Sequence, residues 1–106
     1  MRIVITMPSK SKQKGNRFEK ECVDKAIEKG LDSKRAWGSD GRSLGEHPEV
    51  DLLINKHKAQ CKVRKKIAKW LTPTKEVDIQ IVKEDRGQIY VIQKDEDWLE
   101  MVNSVS

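Results

Sequence analysis

The stretch that decides the fold is residues 49–63, which read EVDLLINKHKAQCKV. Two segments with alternating side chains flank the polar run NKHK, and this pattern predicts two strands joined by a turn. Apolar or small side chains recur at every second position and would form the core face of the hairpin: Val50, Leu52, Ile54, Ala59, Cys61 and Val63. Period two places Asp51 on the opposite face, where pairing across the hairpin brings it near Gln60 and Lys62. The hairpin therefore predicts a carboxylate, an amide and an ammonium group on one surface.

A helix is predicted on the N-terminal side of this hairpin, with Asn16 as its N-cap and Gly30 as its stop. Apolar residues recur at helical spacing between them: Phe18, Cys22, Val23, Ala26 and Ile27. At about 100° per residue, Glu19 projects near the middle of this apolar stripe. A carboxylate directed into a core is costly unless a cation or hydrogen-bond donors meet it. Glu19 is therefore a candidate functional residue.

The other segments predict an α/β domain at residues 15–106, preceded by an N-terminal arm at residues 1–14. The arm combines a short apolar segment at residues 3–5, which could form a strand, with a flexible basic stretch. The further predicted elements are a strand at 33–37, a loop at 38–48, a short helix at 64–71 with Ile67, Trp70 and Leu71 inward, strands at 77–82 and 88–93, and a last helix capped by Asp95.

The charge balance suits a polyanionic partner. Lys and Arg number 22 against 17 Asp and Glu, which gives a net charge of +5. Nucleic acid is the commonest such partner, and a merely soluble basic surface is the alternative. The two cysteines form no Cys-x-x-Cys pair, which argues against a disulfide scaffold and a structural zinc site. No apolar run is long enough for a membrane span or a signal peptide, so an intracellular, cytoplasmic protein is expected.

Glu19, Asp51, Gln60 and Lys62, in that order, suggest metal-dependent hydrolysis. Mg²⁺ prefers oxygen ligands and is usually held by one or two carboxylates together with phosphate and water. A lysine on the same face can orient or deprotonate the attacking water and stabilise charge on a phosphate. The structural alternative makes Glu19 a buried carboxylate paired with Lys62 or Arg35.

The run Lys14-Gly15-Asn16-Arg17-Phe18-Glu19-Lys20-Glu21 resembles the start of the first helix in archaeal and phage Holliday-junction resolvases, which belong to the PD-(D/E)XK nuclease superfamily. In that family a Lys-Gly pair precedes a helix that carries an active-site glutamate, matched here by Glu19. Trp37-Gly38-Ser39 resembles its strand leading into a loop with an active-site serine. The family's strand aspartate matches Asp51, and its Glu-x-Lys strand matches Gln60-Cys61-Lys62. The resemblance covers residues 14–66.

The resemblance implies a restriction-endonuclease-like α/β fold, with a central mixed sheet of about five strands flanked by helices. It also implies a homodimer that cleaves four-way DNA junctions with Mg²⁺ or Mn²⁺. Such an enzyme would act in DNA recombination and repair, and a phage gene expressed in a bacterial host would be one source of it. The implied metal ligands are Asp51, a Gln60 oxygen, the Cys61 backbone carbonyl and, through water, Glu19. Lys62 would position or activate the nucleophile.

The sequence departs from the family at Gln60, where the pattern usually has a carboxylate. A Gln side chain offers a carbonyl oxygen but no charge. Three explanations stand side by side: a native variant of the motif, an engineered inactivating change, or lost catalysis.

Candidate DNA contacts are one loop serine and a set of cations: Lys14, Arg17, Ser39, Arg42, Arg64, Lys65, Lys66 and Lys69. Each cation can neutralise a phosphate, and a plain solvated surface is the alternative. Trp37 and Trp70 are expected in the core rather than stacked on bases. Two other functions stay open: a nuclease of the same superfamily for nicks, flaps or duplex, and a catalytically silent DNA-binding module.

Overall fold

A computed structural model of the chain describes residues 9–105, except for the side chain of Ser39. The strand predicted at residues 3–5 lies outside the described residues. The chain divides into two units, Met1–Val63 and Arg64–Ser106. This division falls within the stretch that the sequence predicts as one domain.

The first helix, α1, spans Lys10–Glu28, so the prediction of a start at Asn16 is wrong. Ser9 is the N-cap, and its side chain accepts a hydrogen bond from the Lys12 N–H at 3.1 Å. Residues 10–14, predicted as flexible, form the first turns because Lys and Gln lose little rotamer freedom in a helix. The prediction that Gly30 ends the helix is confirmed. Its φ of 83° and the hydrogen bonds that follow are those of a Schellman motif.

The first sheet is antiparallel and has the order β1-β2-β3, with β1 at Ser33–Arg35, β2 at Leu52–Ile54 and β3 at His57–Ala59. β1 and β2 are shorter than predicted. The prediction of a strand at residues 59–63 is wrong, because β3 lies earlier in the chain and includes His57 and Lys58 of the predicted turn. A two-residue turn at Asn55 and Lys56 joins β2 to β3, and Asn55 has a φ of 50°. The Asn55 side chain accepts a hydrogen bond from the Asp32 N–H at 3.0 Å, which ties the turn to the start of β1. The buried apolar residues of this unit are Ala26, Leu31, Ala36, Val50, Leu52 and Ile54.

The segment between β1 and β2 contains two 3-10 turns, at Trp37–Ser39 and Gly41–Leu44. The Ser43 hydroxyl accepts a hydrogen bond from the Trp37 N–H at 2.7 Å and donates one to the Asp40 carbonyl at 3.0 Å. Gly41 is buried, and a Cβ at this position would meet the carbonyl oxygens of His47 and Val50. The predicted loop is therefore folded back on itself.

The second unit contains a hairpin and a helix. Strand β4 at Ile79–Lys83 pairs antiparallel with β5 at Ile89–Gln93. Helix α2 spans Asp95–Ser104 and has three acidic residues in its first turn, which suits the helix dipole. Lys94, not Asp95, is the N-cap.

The helix predicted at residues 64–71 is wrong, because only a 3-10 turn at Lys69–Leu71 forms. Ile67 and Trp70, predicted to point inward, are 62% and 66% exposed. A short helix needs a buried face to be stable. Three consecutive cations at residues 64–66 add mutual repulsion.

The chain is thus a small α/β protein with two α-helices and two antiparallel sheets of three and two strands in its described part. The sequence instead predicts one mixed sheet of about five strands. Every pairing here joins strands that follow one another along the chain. The connections between β2 and β3 and between β4 and β5 are too short for the crossover that parallel strands need. Neither helix of residues 9–105 has the length and apolar character that a membrane span requires.

Candidate functional site

Helix α1 directs Glu19 towards β1, where it forms an ion pair with Arg35. Glu19 is only 5% exposed, and its Oε1 lies 3.5 Å from the Arg35 Nε. The Arg35 guanidinium also donates a hydrogen bond to the Asn16 carbonyl at 3.4 Å. The inward direction predicted for Glu19 is confirmed. Its cation is Arg35, as the structural alternative proposed.

Asp51 lies at an irregularity where β2 begins. Its N–H donates a hydrogen bond to the Ala59 carbonyl at 2.8 Å, although Leu52 is the residue that the ladder pairs with Ala59. Two consecutive residues therefore face one residue of β3, which is the pattern of a β-bulge. Val50, Asp51 and Leu52 are all buried, at 8%, 9% and 0% exposure. The predicted strict alternation, with Asp51 on the face opposite its neighbours, is wrong at this position.

The Asp51 carboxylate is oriented by the chain just beyond β3. Its Oδ2 accepts a hydrogen bond from the Cys61 N–H at 2.7 Å. The Asp51 carbonyl also accepts a hydrogen bond from the Ala36 N–H at 2.8 Å. Asp51 thus connects the end of β1 to the residues that follow β3, and its position is fixed on both sides.

Cys61 brings Glu19, Asp51 and Cys22 into one cluster. The thiols of Cys22 and Cys61 form a hydrogen bond, which joins α1 to the segment after β3. This hydrogen bond is the main reason that the pKa of Cys61 lies far above its ordinary value of 9.0. Burial and the electrostatic field of Cys22, Asp51 and Glu19 raise that pKa further. The cluster therefore keeps Cys61 as a neutral thiol beside two carboxylates.

Gln60 and Lys62 stand on either side of Cys61, and both are exposed. Within the described residues neither side chain forms a hydrogen bond or an ion pair with Asp51. Asp51 is thus hydrogen-bonded to Cys61, and the charge of Glu19 also acts on this residue. Gln60 and Lys62 lie at the solvent side of the same segment.

The oxygen atoms of this site fit the sparse protein ligand set of Mg²⁺. Among residues 9–105, no three His, Cys, Asp or Glu side chains are arranged to hold a metal ion. Mg²⁺ needs only one or two carboxylates, because water and phosphate complete its coordination. In the described structure, Asp51 Oδ1 accepts no hydrogen bond. Every fully buried side-chain oxygen of the described residues has a hydrogen-bond partner, so Oδ1 is not one of them. Asp51 Oδ1 therefore reaches solvent, as does the amide of Gln60.

The predicted DNA contacts are mostly exposed cations in both units. Exposed members of the set in the first unit are Lys14, Arg17 and Arg42, and those in the second are Arg64, Lys65, Lys66 and Lys69. The Arg42 guanidinium is held by Asp40 through hydrogen bonds from its Nε to both carboxylate oxygens at 3.0 Å. These hydrogen bonds lower the pKa of Asp40 and raise that of Arg42. Ser39 lies in the first 3-10 turn.

The sequence does not predict the part that three side chains take in this site. Arg35 is expected only as a structural partner, although period two from Ser33 places it on one face of β1. The Cys22 side chain is expected only in the core, and Cys61 is expected to contribute its backbone carbonyl rather than its thiol. The spacing of Cys22 three residues after Glu19, one helical turn, was the available signal.

Comparisons of the chain with protein-family models, curated proteins and solved structures find no significant match. The likeness to Holliday-junction resolvases therefore rests on the residues quoted above.

Proposed function

We propose that the protein is a metal-dependent DNA endonuclease that cleaves four-way junctions. The observation that carries the proposal is the burial of two carboxylates, Glu19 of α1 and Asp51 of the hairpin, whose charges both act on Cys61. Asp51 also accepts a hydrogen bond from the Cys61 N–H. Gln60 and Lys62 flank Cys61 and are exposed to a substrate. A net charge of +5 supports binding to a polyanion.

Asp51 Oδ1, the Gln60 amide oxygen and the Cys61 carbonyl would hold Mg²⁺ or Mn²⁺, with Glu19 contributing through water. When bound, such an ion supplies an activated water and offsets charge on the scissile phosphate. The hydrogen bond from the Cys61 N–H fixes the Asp51 carboxylate, so little reorganisation is needed on binding.

Lys62 would position the attacking water or accept its proton, and the exposed cations of α1 would hold the phosphate backbone. A homodimer would place two such sites on opposite strands of a junction. Size-exclusion chromatography with light scattering, with and without a junction, tests this arrangement. A monomer under both conditions contradicts it.

A catalytically silent DNA-binding module is the second candidate. Two observations favour it: Gln60 brings no charge to the site, and Arg35 already pairs with Glu19. This module would bind junctions with a steep salt dependence and cut none of them.

A cleavage assay separates the candidates. A labelled four-way junction and a matched linear duplex are incubated with Mg²⁺ or Mn²⁺ and the unmodified protein, Gln60→Glu or Lys62→Ala. Lys56→Ala is the matched control, because it removes an exposed ammonium from the turn of the same hairpin.

For the endonuclease, we expect metal-dependent cutting of the junction, and a loss of about 100-fold or more in Lys62→Ala but not in Lys56→Ala. Equal rates on the linear duplex would contradict the junction preference. Cutting by Gln60→Glu alone would identify this sequence as an inactive form. Binding without cutting by every variant would establish the silent module.

A further inference from the structure

Trp37 has an unusual environment for the largest apolar side chain. The sequence predicts it in the core, and the structure leaves it 85% exposed. Ala36, directly before it, is 1% exposed. The chain therefore turns from the core to the surface within one residue. Tryptophan is enriched at binding interfaces, because its ring offers a large apolar face and its N–H a hydrogen-bond donor.

The backbone that carries Trp37 is held on both sides. The Ala36 N–H donates to the Asp51 carbonyl at 2.8 Å, and the Trp37 N–H donates to the Ser43 hydroxyl at 2.7 Å. The Trp37 carbonyl accepts a hydrogen bond from the Asp40 N–H at 3.1 Å. The indole thus projects from a fixed point, so a ligand that stacks on it does not bear the cost of ordering the loop.

Trp37 borders a cleft of about 700 Å³ that is also lined by Arg35, Gly38 and Leu44. This volume lies within the range of about 300–1,000 Å³ that is usual for small-ligand sites. Arg35 also lines a second depression together with Arg17 and Lys20 of α1. Three cations therefore lie between α1 and the cleft with the exposed indole, and two of them have a carboxylate partner: Lys20 pairs with Asp24 at 2.8 Å and Arg35 with Glu19.

An aromatic face beside a row of cations is the combination that proteins use for single-stranded nucleic acid. The ring stacks on a base, and the cations follow the phosphates. Bases of a continuous duplex are already stacked on one another, and drawing one out costs free energy. The best ligand for Trp37 is therefore a base that is already unpaired. Asp40, three residues after Trp37, is hydrogen-bonded to Arg42, which reduces its repulsion of a phosphate.

We propose that Trp37 is a stacking platform for an unpaired nucleobase, and that Arg35 and Arg17 contact the adjoining phosphates. This inference rests on the proposed DNA-binding function and adds a feature of the substrate: DNA with unstacked bases beside the cleavage site. Arg35 connects the two sites, because it lines the cleft and pairs with Glu19.

The test measures binding without metal, in EDTA, so that no cleavage occurs. The probes are a labelled single-stranded 12-mer, the same sequence as a duplex, and a four-way junction with unpaired bases at its centre. Fluorescence anisotropy gives the affinities of the unmodified protein, Trp37→Ala, Trp37→Phe and Trp70→Ala. Trp70 is the matched control, because it is also an exposed tryptophan but lies in the second unit.

We expect Trp37→Ala to weaken binding of the single strand and the junction by about 10-fold, the loss of one stacked base. Trp37→Phe retains most of the affinity, and Trp70→Ala changes little. The duplex is affected less by Trp37→Ala. Quenching of tryptophan fluorescence by unlabelled single strand gives a second readout, present with Trp70→Phe and lost with Trp37→Phe.

DNA binding that is the same in Trp37→Ala and the unmodified protein, with no loss of quenching, would overturn the stacking role and leave the nuclease proposal standing. An equal loss of affinity for duplex and single strand would also overturn it. If the unmodified protein binds none of the three DNAs, the proposed function itself fails, and the stacking role fails with it.

Discussion

Replacing Arg35 with methionine would remove the cation that accompanies the buried Glu19 carboxylate while retaining most of the apolar stem. Glu19 is 5% exposed, whereas the Arg35 side chain is 33% exposed. The substitution therefore leaves the Glu19 carboxylate in a low-dielectric environment without the Arg35 charge that stabilises it. We expect the free energy of unfolding to fall.

The magnitude follows from the distance. At 3.5 Å between Arg35 Nε and Glu19 Oε1, two unit charges attract by about 5 kcal/mol at an effective dielectric constant of about 20. Partial solvation of Arg35 screens part of this attraction, so we expect a loss of about 2–3 kcal/mol. A small domain has a total stability of about 5–15 kcal/mol, and such a loss is readily measured.

The sign of a second substitution makes the test specific. In the unmodified protein, Glu19→Gln removes a favourable charge pair and should cost about 1 kcal/mol. In the Arg35→Met background the same change removes a buried carboxylate that no longer has the Arg35 guanidinium beside it, and it should restore about 1 kcal/mol or more. The coupling free energy of the two sites should therefore be about 2 kcal/mol or more.

Urea unfolding at pH 7, followed by circular dichroism on all four proteins, gives these values. Arg42→Met is the control, because Arg42 and Asp40 form an ion pair at the surface, and we expect little change. The reasoning would be refuted if Glu19→Gln had the same effect in both backgrounds, since Arg35 would then not stabilise the carboxylate.

Three further outcomes can be measured on purified protein. Gly41→Ala should lower the free energy of urea unfolding by about 2 kcal/mol or more, because its Cβ would meet the His47 carbonyl. Gly15→Ala, which has open space in α1, should raise that free energy by about 0.5–1 kcal/mol, and equal effects of the two substitutions would contradict the packing around Gly41. Asp51→Asn should keep an acceptor for the Cys61 N–H and change stability by less than about 1 kcal/mol, whereas Asp51→Ala should cost about 1–3 kcal/mol; junction cleavage should be lost in both, and retained cleavage would exclude Asp51 from the chemistry. The folded state raises the pKa of Cys61 above 9.0. Above about pH 9, the unfolded chain therefore binds fewer protons than the folded protein does. The free energy of unfolding should then fall above about pH 9, by up to about 1.4 kcal/mol per pH unit, and more steeply than in Cys61→Ala; identical slopes would contradict the shift.

The parts of the fold that the sequence predicts well are those with local signals. The stop at Gly30 follows from a glycine after an apolar stripe, and the β4–β5 hairpin follows from alternation around a turn. The sequence does not predict the start of α1 correctly, because Ser9 and Asn16 are both good N-caps and the lysines between them permit helix and coil alike. At residues 64–71 the sequence predicts a helix that does not form. Its apolar spacing is helical, but Ile67 and Trp70 are not buried in the structure.

For the site, the sequence predicts the direction of Glu19 better than it predicts the surroundings of Asp51. The inward direction of Glu19 follows from helix periodicity alone. The surroundings of Asp51 do not follow from strand periodicity, because the bulge breaks the alternation at that residue. The exposure of Trp37 depends on the folding of residues 36–44 around Gly41 and Ser43, which no local pattern encodes.

The extra residue at the start of β2 also bears on how this hairpin can be aligned or transplanted. If the sequence of a regular hairpin is aligned with this one from the turn outwards, the two are shifted by one residue on the N-terminal side of Leu52. A shift of one residue exchanges the two faces of a strand. An alignment without a gap there would therefore pair Asp51 with a residue of the wrong face. A designer who grafts this carboxylate onto a regular hairpin would have to insert one residue along with it. The unit to transfer is the bulge, with the Cys61 N–H that holds the carboxylate.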